Sequence, residues 1–332
     1  MKKQTQAEKN PYPYTDSNKR YYTYDYYLRK TYGGKCAKIT LDAGFSCPNI
    51  DGTCGTGGCI YCSSRGSGDF AQSPALSLRA QYEEQLALVR RKWNTSRLIP
   101  YLQAHTNTHA PIERLRAVYE EALSLEGAVA LHIATRADCL GEEVLALLAS
   151  VASRIPLTVE LGLQSVKDET ARRIGRGHTY AAFLDGYHRL REAVPTARVA
   201  VHLINGLPGE TEEDMIRSAR EVGALRPDEI KLHLLYVIDG TPLGEMYKQG
   251  RYTPMSEEAY VDTVYRQLLL IPSDIVIGRL TGDGARETLL APLWSLKKLS
   301  VLNQIDRKLY ENDAFQGKLV QNAQKQLKKI GV

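Results

Sequence analysis

No run of about 18 apolar residues occurs in the 332-residue chain, so nothing in it reads as a membrane-spanning helix. The opening residues, MKKQTQAEKNPYPY, lack the apolar h-region of a secretory signal, and a cytoplasmic protein is expected. Internal repeats and low-complexity tracts are missing as well, which argues against solenoid and fibrous architectures. A content of 43% hydrophobic and 24% charged residues excludes disordered and collagen-like classes and suffices for a large core in one domain or two. Cysteine is sparse at six residues, yet four of them fall between Cys47 and Cys62. In a reducing compartment that crowding points to metal binding or catalysis rather than to disulfides.

Net charge is also small, +5 from 43 basic and 38 acidic residues, but it is unevenly spread. Residues 1–35 and 297–332 each carry a net +5, and the body between them carries −5. Basic ends of this kind either attract a phosphate-rich partner or form solvated surface. The stretch 11–32 is crowded with tyrosines, among them Tyr12, Tyr14, Tyr22 and Tyr24, interleaved with Lys19, Arg20, Arg29 and Lys30. Such a mixture can stack on nucleic-acid bases or pack against the main body as a docking arm.

Short β-branched or apolar runs predict strands at 36–42, 98–104, 128–134, 157–163, 198–205 and 229–236, and 274–280 offers a further one. Between them lie amphipathic helices, with Leu115, Val118, Ala122 and Leu125 on one stripe and Val144, Leu147, Leu148 and Val151 on another. Thr211 before EEDM and Ser256 before EEAY have the form of N-caps, followed by acids that oppose the helix dipole. This alternation predicts an α/β fold whose parallel sheet closes, or nearly closes, into a barrel, with a doubly wound open sheet as the competitor. The expected organisation is a basic, tyrosine-rich arm at 1–35, a barrel core at 36–240 and a C-terminal extension at 241–332 made of a strand and basic helices.

The segment GFSCPNIDGTCGTGGCIYC, residues 44–62, follows the first strand directly. In a parallel barrel, the loops leaving the C-terminal strand ends carry the chemistry. Glycines 52, 55, 57 and 58 leave little bulk, so the backbone can wrap closely around an inorganic core and offer its N–H groups. Spacing alone leaves three readings open: a zinc site on Cys47, Cys54, Cys59 and Cys62, an iron–sulfur cluster, or free thiols.

This loop, with SGDF after it, is similar to the cluster loop of the Elp3-like branch of the radical S-adenosylmethionine (SAM) enzymes, and resembles in particular the YtqA/YhcC family with its MnmL-like tRNA-modifying members. The likeness continues through YLQAHTNTHAP at 101–111, ATRADCL at 134–140, VELGLQS at 159–165, IGRGHTY at 174–180, HLINGLPGETEEDM at 202–215, KLHLLYVIDGTPL at 231–243 and RLTGDG at 279–284. It implies a partial (β/α)6 radical SAM barrel. It also implies a [4Fe–4S] cluster on Cys47, Cys59 and Cys62, with Cys54 outside the ligand set and one iron left open for the amino and carboxylate groups of SAM. Ile50 stands where the family usually has arginine and Ala137 where it usually has proline, departures that bear on substrate contacts rather than on the cofactor.

The same resemblance implies SAM contacts from Gln103, Thr106, Asn107 and Thr108 after the second strand, from Glu160, Gln164 and Ser165 on the fourth, from Arg176 toward the carboxylate, and from Asn205, Gly206 and Leu207 at the end of the fifth. For each group a structural role is the competing reading: a self-satisfied loop, a paired buried acid, a surface turn, an ordinary turn before a helix. His132, His202 and His233 read as satisfied core histidines and are assigned no metal. Cys139 is a weak candidate for a hydrogen donor, against an inert buried thiol. The expected enzyme cleaves SAM to a 5′-deoxyadenosyl radical and acts on tRNA, converting the carboxymethylaminomethyl group at C5 of the wobble uridine to aminomethyl, with a one-electron donor such as flavodoxin or ferredoxin. The alternatives are radical chemistry on a small metabolite or a protein side chain, and a zinc-bound tRNA-binding protein without catalysis.

Overall fold

The computed structural model describes residues 10–66, 71–282, 284 and 286–321. The SGDF string, Asp283 of RLTGDG and the last eleven basic-tail residues, 322–332, lie outside these. Six strands arise where the apolar runs predict them: β1 (Cys36–Leu41), β2 (Arg97–Leu102), β3 (Leu131–Thr135), β4 (Leu157–Gln164), β5 (Arg198–Asn205) and β6 (Glu229–Leu234). Helices α2 (Leu78–Lys92), α3 (Ile112–Leu123), α4 (Glu142–Ala152), α5 (Asp168–Arg173), α6 (Tyr180–Ala193) and α7 (Glu212–Ala224) fill the crossovers. The strands pair in parallel in chain order, so the sheet curls rather than reversing direction as a doubly wound sheet does. Strand β3 starts three residues later than its apolar run, because Ala128 makes only an isolated bridge to Leu98.

The C-terminal third extends the barrel. After the short β7 (Val237–Ile238), α8 (Pro242–Lys248) and α9 (Glu257–Leu270), strand β8 (Val276–Arg279) joins β6 as a seventh parallel strand. Thus the sheet runs past the expected boundary at residue 240. Strand β9 (Leu289–Ala291) pairs antiparallel with β7, and α10 (Lys298–Glu311) packs along α9. Thr211 forms a full capping box with Asp214, and the Ser256 hydroxyl accepts from Ala259 N.

The arm closes the N-terminal end of the barrel. The Ile277 amide donates to Tyr22 O at 2.7 Å, and Thr23 then caps α1 (Tyr24–Tyr32), which touches both β8 and β1. Tyr12 and Tyr21 are buried, and Tyr14 stacks on Tyr22 at 4.9 Å. Arg198 lies 4.0 Å over the ring of Tyr27. Of the two readings of the tyrosine-rich stretch, the described residues follow the docking arm.

Candidate active site at the barrel mouth

The thiol loop leaves the C-terminal end of β1 and is held by its own backbone. Cys47 O accepts from Ile50 N at 2.8 Å, Asn49 O from Gly58 N at 2.8 Å and Cys59 O from Cys62 N at 3.0 Å. Ile60 and Tyr61, between the last two cysteines, pack on a small apolar cluster of Ile174, Leu207, Leu235, Val237 and Leu243 that is separate from the main core. Hydrogen bonds from Ile60 N to Ile174 O (3.0 Å) and from Leu243 N to Ile60 O (2.9 Å) fix that turn.

Across from it runs the turn Gly175–Gly177. Gly177 has a φ of 77°, and a Cβ there would stand 2.1 Å from Asn49 Oδ1, so only glycine lets the two segments meet. Asn49 Nδ2 donates to Gly175 O (2.9 Å) and Arg176 O (2.8 Å) and lies 3.4 Å from Cys59 Sγ. Arg136, buried and paired with Asp138 at 2.7 Å, donates to Arg176 O and approaches Cys47 Sγ at 4.0 Å. Sequence reasoning passed over Asn49 and Arg136. Both stand inside the quoted strings, at the third position of Cys-Pro-Asn and of Ala-Thr-Arg, and that was their only signal.

Cys59 is buried, Cys47 and Cys62 half-buried, and Cys54 exposed. The hydrogen bond from the Cys62 thiol, helped by the Arg176 charge and the Asn49 amide, holds the Cys59 thiol well below its ordinary range despite burial. Three thiols on one glycine-rich loop, beside an Arg176 Nε that has no partner, form a donor set suited to an inorganic cluster. Among the described residues, no group of three or more His, Cys, Asp or Glu gathers tightly enough for a single metal ion.

The other expected contacts divide. Gln164 ends β4 at a bulge with φ 77°, an uncommon conformation for a residue with a side chain and one associated with functional positions. Arg176 reaches over Gly162, whose carbonyl accepts from its guanidinium. Gly206 and Leu207 border the same rim, with Gly206 O accepting from Tyr252 OH at 2.7 Å. Gln103 and the buried Thr106 follow β2. Several of the others are held in part by protein partners. Asn107 Nδ2 donates to Ala104 O and Ala134 O, Thr108 Oγ1 bonds Thr135 and Cys139 O, Ser165 donates to Glu210, and Asn205 exchanges amide bonds with Gln267 at 2.9 and 2.8 Å. Cys139 lines a cleft on the outer flank of the loop with Cys54, Asp51 and His109, and burial pushes its thiol up to about 12.

Glu160 sits deeper, two residues before Gly162 on β4. Its carboxylate takes Lys38 (2.9 Å), His132 Nδ1 (2.8 Å), His202 Nε2 (2.9 Å), Tyr101 OH (2.7 Å) and Lys231. Burial disfavours its charge, but the two ammonium groups and these hydrogen bonds outweigh that and hold the carboxyl well below its ordinary range. His132 and His202 are therefore partners of an acid, as satisfied core histidines are, whereas His233 departs from that reading because its Nε2 is buried without a partner.

The family model of the Radical SAM superfamily matches residues 50–222, and that of the Radical_SAM C-terminal domain matches residues 227–311. The YtqA protein of Bacillus subtilis is 41% identical over 96% of this chain and 98% of its own. The tRNA uridine(34) acetyltransferase of Methanocaldococcus jannaschii is 33% identical over 47% of this chain and 28% of that protein. Among solved structures, the archaeal Methanocaldococcus infernus Elp3, lacking its N-terminus, superposes with a TM-score of 0.62 at 20% identity, covering 82% of this chain and 63% of that one, which is a likeness of fold.

Proposed function

The chain belongs to the radical SAM superfamily, in its Elp3-like branch, and from that premise we propose that it modifies the C5 side chain of the wobble uridine of tRNA, carboxymethylaminomethyl to aminomethyl, in the cytoplasm. It is an enzyme, and its cofactors are a [4Fe–4S] cluster and SAM. The zinc-bound, non-catalytic alternative falls with that membership. Together the cofactors supply the one-electron chemistry that activates an unreactive C–H bond, drawing on a donor such as flavodoxin or ferredoxin.

In this reading Cys47, Cys59 and Cys62 hold the cluster, while Asn49 and Arg136 brace the loop that carries them. Arg176 engages the SAM carboxylate with a planar fork. Gln164 and the Gly206–Leu207 rim take the rest of the molecule, Gln103 and Thr106 face its ammonium, and Asn107, Thr108, Ser165 and Asn205 hold those loops at the right spacing. The apolar cluster under Ile60 and Tyr61 keeps water from the reacting centre.

The observation that carries the substrate assignment is the 159-residue likeness to the tRNA uridine(34) acetyltransferase. The decisive measurement is the nucleoside composition of tRNA from cells with and without the gene, by mass spectrometry. Deletion should accumulate carboxymethylaminomethyluridine at the expense of the aminomethyl form. An unchanged ratio removes tRNA as substrate and leaves the radical chemistry in search of another.

A further inference from the structure

Above the Glu160 layer the lumen side of the sheet carries a half-buried His233 and an exposed Arg279. Lys38, Lys231 and Arg279 face the lumen as cations, against Glu160 and Glu229. The Arg279 side chain points inward because of an irregularity in β8. Ile277 pairs with Ile230 and Arg279 with Lys231, so Gly278 is an extra residue and the strand bulges there. Bulges of this kind re-aim a side chain. A Cβ on Gly278 would stand 2.0 Å from Glu229 Oε1 and 2.9 Å from Lys231 Cγ, so any side chain there must displace both.

By this register Arg279 shares the face of Lys231, and its charge is felt at Lys231, His233 and Tyr101. Among the described residues it makes no ion pair or side-chain hydrogen bond, and it is exposed. Two residues above Lys231 on β6, His233 packs its ring 5.1 Å from that of His202 and leaves Nε2 buried without a partner. Burial keeps both rings neutral near pH 7. His202 spends its Nε2 on Glu160, whereas the same nitrogen of His233 is left for another partner.

We propose that Arg279 and His233 form a carboxylate-binding site in the lumen, which seats an acidic group of the substrate beneath the thiol loop. A guanidinium fork and one neutral imidazole N–H match the two oxygens of a carboxylate, and a cation beside an unmet buried nitrogen suits an anion. This rests on the assignment of the mouth to the cofactors but not on the identity of the substrate as tRNA.

The test uses the reconstituted holoenzyme with SAM and titrates N-benzylglycine and its methyl ester. The same titrations are run with carboxymethylaminomethyluridine and its ester. The acids should bind at least about tenfold more tightly than the esters. Arg279→Gln should abolish that preference and Arg279→Lys restore part of it, with cluster absorbance and SAM affinity unchanged. Because Arg279 is exposed, these variants should fold. Equal binding of acid and ester in both pairs, or a preference that survives Arg279→Gln, overturns the site. Weakened SAM binding in the variant also overturns it, since the arginine would then serve the cofactor. A carboxylate preference in which the nucleoside acid binds no better than N-benzylglycine upholds the site and counts against the uridine reading alone.

Discussion

The arm docked at one end of the barrel and the thiol rim at the other are built differently. At the N-terminal end, Tyr12 OH donates to Ser273 O at 2.5 Å, Gln316 Nε2 donates to Pro272 O and Ile275 O at 2.7 and 2.8 Å, and Gln316 Oε1 accepts from Tyr22 N at 2.9 Å. These arm and tail groups meet one another, as stability demands, although Arg198 Nε, both Glu229 carboxylate oxygens and Asp306 Oδ1 near that end are buried without a hydrogen bond. At the mouth, Asn49 Oδ1, Arg176 Nε and His233 Nε2 are buried and unpartnered, and Gln164 holds a positive φ. Unmet polar groups and a strained residue are tolerated where something else is to bind. Substitutions at the mouth should therefore cost function with little stability, and substitutions at the floor the reverse.

The largest effect belongs to the thiols. Cys47→Ala, Cys59→Ala and Cys62→Ala should each abolish the iron–sulfur absorbance and SAM cleavage while the apoprotein keeps its thermal transition. Cys54→Ala should retain both activities, because that thiol is exposed at the loop surface. Loss of the cluster in the Cys54 variant would contradict the three-thiol assignment.

Next come the side chains assigned to SAM. Arg176→Ala removes a charge-assisted partner and should weaken SAM binding by about one to two orders of magnitude. Gln164→Ala should have a smaller effect, and both should keep the cluster. Isothermal titration with SAM on the reconstituted variants decides this, and unchanged affinity in both would move SAM away from this rim.

Glu210 offers a pH-dependent test of the mouth. Burial pushes its carboxyl up to about 7, against hydrogen bonds from Ser165 and Thr170 that favour the charged form. The native state therefore holds a proton that the unfolded chain releases above about 4.5, so this contribution to stability is full below pH 4.5 and lost as pH rises through 7. Between pH 5 and 8 the wild type should lose about 2 kcal/mol relative to Glu210→Gln, after allowance for partial exposure. Parallel denaturant curves for the two proteins would assign the titration elsewhere.

Much of this was legible in sequence because it rests on local pattern. Apolar runs place the six expected strands, and the Thr211 and Ser256 caps begin their helices, since capping depends on neighbours in the chain. The thiol loop was legible as a glycine-rich cysteine cluster. What periodicity could not supply was contact across the barrel. The seventh strand is four residues long and reads as part of an extension until it pairs with β6. Glu160 looks like a ligand contact when considered alone, and only the convergence of β1, β2, β3, β5 and β6 shows that its carboxylate is already engaged. Asn205 likewise suits a rim until Gln267 is found against it.

The smallest expected effect tests the floor. Tyr12 is 3% exposed, and its hydroxyl ties the arm to the loop before β8 and to Gln316, so Tyr12→Phe removes one donor but keeps the ring. Ser273 O then loses its partner in a buried place, and a net loss of about 1 kcal/mol follows. Because the ring still packs against Tyr14 and Phe315, no cavity forms and the arm stays seated. Chemical denaturation should show that loss, while the cluster spectrum and SAM affinity remain at wild-type values. A variant that kept its stability but lost SAM affinity would mean that floor and mouth communicate through the sheet, and the division between a satisfied arm and an unsatisfied rim would no longer describe how this barrel works.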